Sequence, residues 1–142
     1  MLVRLLYASR AVAPLTTEVV DSIMEQSRWH NIPAGITGLL CFSEDQFIQV
    51  LEGGRDQVCE LYNTIVRDQR HREVRILHFE EISERRFGSW TMGQVNLAKI
   101  NPALLLKYSE KPVLDPLSCS GLASMALLEE LIATGSVVGR AS

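Results

Sequence analysis

Two apolar runs, Gly38 to Ser43 and Gln46 to Glu52, are separated only by Glu44 and Asp45. So short a connection joins only antiparallel neighbours, because parallel strands need a crossover of a dozen or more residues. The middle of the chain is therefore committed to a tight β-hairpin, and the other elements must pack around it. Upstream, Leu2 to Ser9 reads as a strand buried on at least one face, ending before Pro14. Thr16 suits an N-cap, and Val20, Ile23, Met24 and Ser27 fall at the i, i+3, i+4, i+7 spacing of one helical face. This helix is predicted to run to about Arg28, with Pro33 and Gly35 closing the segment.

Downstream of Gly53-Gly54, Asp56 is a candidate cap for a second helix whose apolar face is Val58, Leu61, Tyr62 and Ile65. The polar run Arg67 to Arg72 reads as its solvated end. Val74 to Ile82 and Trp90 to Val95 then read as strands paired in a second hairpin through the turn containing Glu84, Arg85 and Arg86. The order β-α-β-β-α-β-β is that of a ferredoxin-like α+β sandwich, with two helices on one face of the sheet and the other face in need of cover. Asn101-Pro102 opens a short helix reaching Tyr108, and Pro112 and Pro116 punctuate a linker. Leu117 to Thr134, closed by Gly135, reads as a last helix that either packs on the free sheet face or presents Leu122, Met125 and Leu128 to another subunit. The expected organisation is a domain over residues 1–96 and a C-terminal helical extension over 97–142 whose two helices cap the sheet.

Charge and cysteine usage narrow the function. Fourteen Lys and Arg against seventeen Asp and Glu lack the positive footprint of a nucleic-acid binder. No apolar run approaches the roughly 18 residues of a membrane helix, and the start MLVRLLYASR is too short for a signal-peptide core. The cytoplasm is the expected compartment. Cys41, Cys59 and Cys119 form no Cys-x-x-Cys pair and read as reduced packing residues. His30, His71 and His78 lack metal-pair spacing, so no metal is expected.

Polar residues in apolar runs are more telling. On a strand, Gln49 shares its face with Phe47 and Leu51, and a buried amide left unpaired costs roughly 1–3 kcal/mol. Gln49 must therefore have a partner, in the protein or in a ligand. Tyr7 shares a face with Val3 and Leu5, where it is either a core filler or a placed phenol. Asn31 lies just after the predicted first helix, a position where Asn commonly takes the left-handed backbone. Together, the three could converge between the helices and the sheet. Such a set suits a planar heteroaromatic ligand, because Asn and Gln carry the donors and acceptor that match an imide edge.

The segments LLYAS, HN followed by GITGLL, FIQVLEG, DQRH and RRFGSWTM resemble the BLUF family of flavin-binding blue-light sensors, with the family's spacing kept from about Leu2 to Gln94. The resemblance implies that Tyr7 is the electron donor to the photoexcited flavin and that Gln49 lies between the phenol and the ring. It implies that Asn31 bonds the pyrimidine edge, that Ser27 lies near the flavin, and that Ile23 and Ile65 sandwich the ring. Arg70 and His71 match positions near the ribityl and phosphate end. Trp90 and Met92 match a strand whose two occupants can exchange places beside Gln49. The implied cofactor is FAD, with FMN or riboflavin as alternatives, held non-covalently. The implied activity is light sensing and not catalysis, with Gln49 changing either its orientation or its tautomer.

No cyclase, phosphodiesterase or DNA-binding region fits after Asn96, so the expected partner is a separate effector protein or further copies of the chain in a homo-oligomer. The alternative from the fold alone is a ferredoxin-like domain sensing a small metabolite. An acylphosphatase-like enzyme would need a phosphate loop after the first strand, and Ala8-Ser9-Arg10-Ala11 provides no Gly-rich cradle.

Overall fold

The computed structural model of the chain describes residues 1–113 and 115–138. The elements are β1 (Leu2–Ala11), α1 (Thr17–Ala34), β2 (Thr37–Ser43), β3 (Gln46–Gly54), α2 (Arg55–Arg67), β4 (His71–Ile82), β5 (Gly93–Asn96), a 3-10 turn (Leu97–Lys99), α3 (Pro102–Tyr108) and α4 (Gly121–Ala133). One five-stranded sheet has the order β4-β1-β3-β2-β5. The first four strands pair antiparallel, whereas β5 runs parallel to β2. This is the ferredoxin-like α+β arrangement with one strand added at an edge.

Period-two alternation sorts the strand residues into two cores. Val3, Leu5 and Tyr7 of β1, with Phe47 and Leu51 of β3, face α1 and α2. Leu6, Ile48 and Val50 face the other way and meet Leu127, Leu128 and Leu131 of α4. The C-terminal helices thus cover the free sheet face, where each fully buried Leu contributes about 1.5–3 kcal/mol. Approach there is close: a Cβ on Gly121 would lie 2.1 Å from the carbonyl oxygen of Leu77. Met125 and Leu128, offered above as candidates for a subunit contact, are buried in this layer, and only Leu122 stays exposed.

Several expectations from local pattern are corrected. Thr16 does cap α1, accepting from the Val19 N–H at 3.3 Å, but the helix continues past Arg28 to Ala34. Pro33 is tolerated because it sits in the final turn, and Gly35, at φ 69°, takes the left-handed position expected of Asn31. Asn31 is therefore a buried helical residue. Asp56 is not the cap of α2. The chain passes straight from β3 through Gly54 into the helix, with Asp56 in the first turn, where a carboxylate favours the dipole.

The run 67–72 is not a helix end, since α2 stops at Arg67 and His71 opens β4. β4 and β5 do not form a hairpin. They occupy opposite edges of the sheet, and the connecting segment crosses between them. Trp90 and Met92 precede β5 and do not lie on it. The last helix starts at Gly121 with Ser120 as its cap, because Asp115 accepts the Ser118 and Cys119 N–H groups in a separate turn. Of the cysteines, Cys41 is buried and Cys119 half-buried, but Cys59 is exposed and is not a core residue.

Candidate functional site

Between α1 and α2, above the sheet, lies a cleft of about 260 Å³. All eight residues assigned to flavin binding line it: Tyr7 and Gln49 on the floor, Ile23, Ser27 and Asn31 from α1, Ile65 from α2, Arg70 from the turn before β4 and His71 at the start of β4. Helical period explains the α1 set, because Ile23, Ser27 and Asn31 are spaced four apart and so share a face. Sequence reasoning missed Gln26, His30, Thr64 and Asp68, which also line the cleft. The signal was present for the last two, since Leu61, Thr64, Ile65 and Asp68 follow one helical stripe.

The floor carries a directed hydrogen-bond chain. β1 and β3 pair with Tyr7 opposite Gln49, so the phenol donates to Gln49 Oε1. Gln49 Nε2 in turn donates to Met92 Sδ at 3.3 Å. Met92 is fully buried on this face. Trp90 is half-buried against the opposite core, by α4, and its carbonyl accepts from the Gly38 N–H at 3.0 Å. In this conformation Met92, and not Trp90, is the neighbour of Gln49. Burial, with smaller contributions from Asp68 and Tyr62, pushes the Tyr7 phenol well above its ordinary range. The Tyr62 ring lies edge-on to it at 5.9 Å. Tyr7 therefore keeps its proton through the physiological range and acts as a donor.

The α1 wall differs. Asn31 is 1% exposed, and neither its Nδ2 nor its Oδ1 has a protein partner. Asn31 is among the residues that line the cleft, and both the donor and the acceptor of its amide are left unmet.

Arg70 and His71 line the cleft and are also bonded within the protein. Arg70 donates to Asp68 through Nε and Nη2, the latter at 2.6 Å. This contact holds the Asp68 carboxyl below its usual range and raises the guanidinium. His71 Nε2 donates to the Ile65 carbonyl at the end of α2, and Nδ1 meets Ser9 Oγ at 2.9 Å. The carbonyl can only accept, so Nε2 carries a proton.

A sheet roofed by two helices, with a phenol–amide relay beneath and an unpartnered amide in the wall, defines a receptor module for a planar ring with a hydrogen-bonding edge. The family described as "BLUF: Sensors of blue-light using FAD" matches residues 2–93. The chain belongs to the BLUF family, whose members sense blue light through a bound flavin. It is 35% identical over 92 residues to photoactivated adenylate cyclase subunit beta of Euglena longa, covering 64% of this chain and 11% of that relative. The chain thus spans about a tenth of the length of the cyclase subunits it matches. Among solved structures, BlrB in its dark state has a TM-score of 0.76 at 35% identity, covering 94% of this chain and 96% of BlrB. BlsA in its photo-activated state has a TM-score of 0.81 at 27% identity, covering 100% of this chain and 99% of BlsA.

Proposed function

We propose that this chain is a blue-light photoreceptor that binds FAD non-covalently and signals by rearranging the Tyr7–Gln49 hydrogen-bond network, handing the change to a partner protein or a second subunit. The observation that carries the reading is Asn31. A buried amide with no partner costs roughly 1–3 kcal/mol, and a flavin's pyrimidine edge supplies the alternating acceptor and donor that Asn31 lacks. Ile23 and Ile65 face the cleft from the two helices and would hold the ring between them, with Ser27 beside it. Arg70 and His71, which also line the cleft, match the family's positions near the ribityl and phosphate end and would meet that part of the cofactor. When bound, the flavin supplies blue-light absorption and an oxidising excited state.

The rest is the chain's own chemistry. The Tyr7 phenol has Gln49 Oε1 as its hydrogen-bond acceptor, so a proton leaving Tyr7 enters that amide. Reversing the amide, or shifting its protons, turns the N–H away from Met92. A thioether is a weak acceptor, so that contact biases the orientation only slightly and is suited to a two-state element. Met92 and Trp90 lie on either side of the sheet close to β5, giving the change a short path to the α3–α4 layer. Leu122, 82% exposed on α4, is part of the surface such a partner would meet. Free thiols at three positions suit a reducing cytoplasm. Among the described residues no helix is long and apolar enough to cross a membrane.

The visible absorption spectrum in darkness and after blue illumination tests this reading. A flavin spectrum that moves reversibly to longer wavelength is expected. A flavin that only bleaches overturns the Tyr7–Gln49 mechanism, and a colourless protein that takes up no added flavin returns the fold to metabolite sensing.

Asn31 has its own test. Asn31→Ala should weaken flavin binding by about tenfold or more, the worth of one or two hydrogen bonds. It should leave the urea midpoint of the flavin-free protein unchanged or slightly raised, since no internal bond is lost. A large drop in that midpoint would mean that Asn31 serves the fold.

A further inference from the structure

The segment joining β4 to β5 is gripped twice by β3, once on each face of the sheet. On the flavin side the grip is the neutral Gln49–Met92 contact at 3.3 Å. On the opposite side it is Glu52, 0% exposed, whose carboxylate accepts the Phe87 N–H at 2.7 Å and the Arg86 N–H at 3.1 Å. Glu52 is itself fixed by Arg4, 2% exposed, whose Nε and Nη2 both lie 2.7 Å from Oε2. Arg4 continues to Glu80 and stacks over the Phe87 ring at 5.8 Å.

The two grips are unequal. Charge-assisted, buried hydrogen bonds are roughly twice as strong as neutral ones, and sulfur is a poor acceptor. Beyond the weak grip the chain enters β5, where Gln94 exchanges backbone bonds with Val138, just past α4, at 2.7 and 3.0 Å. Beside the strong grip, the Arg86 side chain pairs with Glu129 of α4.

We propose that Glu52 is a positioning residue for the light response, fixing the segment at 86–87 so that a change at Gln49–Met92 passes forward into β5 and not back to the Arg86–Glu129 contact. The proposal rests on the reading that Gln49 rearranges in light. It adds the fulcrum that gives that rearrangement a direction.

The experiment is amide hydrogen exchange on the flavin-loaded full chain, dark and under blue light, alongside the spectral shift. In the unmodified protein the light–dark difference should appear at residues 90–96 and be absent at Arg86 and Phe87. Glu52→Gln leaves Tyr7 and Gln49 in place, so its spectral shift should persist. A light–dark difference of about tenfold should then emerge at 86–87, the worth of a charge-assisted bond, while that in β5 shrinks. Should the unpaired Arg4 prevent folding, Arg4→Met with Glu52→Gln removes the stranded charge and serves the same comparison. Faster exchange at 86–87 to the same extent in dark and light would show a purely structural role and overturn the proposal. So would a light response at 86–87 in the unmodified protein as large as that at Met92. Loss of the spectral shift in the unmodified protein is a different failure, that of the Tyr7–Gln49 reading.

Discussion

Gln49→Leu is expected to abolish the light-induced spectral shift while flavin remains bound. Leucine approximates the volume of glutamine but can neither donate nor accept, so it removes the acceptor of the Tyr7 phenol and the donor to Met92 in one step. The cleft walls and Asn31 are untouched, which is why binding should survive with at most a severalfold loss. The stability cost should be about 1–3 kcal/mol, that of leaving the Tyr7 hydroxyl, 3% exposed, without a partner. Difference spectra before and after blue light decide the matter. A shift of normal size in this variant would remove Gln49 from the mechanism, whereas loss of flavin would make it a binding residue first.

Arg4→Ala should have the largest effect on stability. It strips the guanidinium from a carboxylate that is 0% exposed and leaves Glu52 held only by two backbone N–H groups. Breaking a buried pair from one side costs about 3–5 kcal/mol, a large share of the 5–15 kcal/mol typical of a domain. The urea midpoint of the flavin-free protein measures it. Arg4→Met with Glu52→Met should recover only part of the loss, because removing both charges still leaves the Arg86 and Phe87 N–H groups without their acceptor. A loss below about 1 kcal/mol for Arg4→Ala would mean that water reaches the site and the pair is not buried in solution.

Arg4 and Glu52 also show how far alternation reaches when it is applied evenly. The alternation that buries Gln49 beside Phe47 and Leu51 puts Arg4 on the face of Leu6 and Glu52 on that of Val50. Their burial depends on α4 and Phe87 closing the opposite face, a contact between segments far apart in the chain. Asn31 is the reverse case. Its convergence with Tyr7 and Gln49 was legible but its burial was not, since local pattern placed it after a helix that in fact continues to Ala34. Arg70 and His71 line the cleft, yet their bonds to Asp68, Ser9 and Ile65 could not be read from a charged run.

What the chain's sequence by itself determined is the list of elements, their order, and the faces that Tyr7 and Gln49 occupy. Those follow from turn chemistry and from periods of 2 and 3.6 residues, which are local and repeat wherever a backbone is extended or helical. Tertiary structure alone decided that β5 joins the far edge beside β2, that Met92 and not Trp90 meets Gln49, and that Glu52 grips the segment between β4 and β5. Each of these is set by a contact across dozens of residues, where burial and hydrogen-bond satisfaction of one segment depend on where another has already packed.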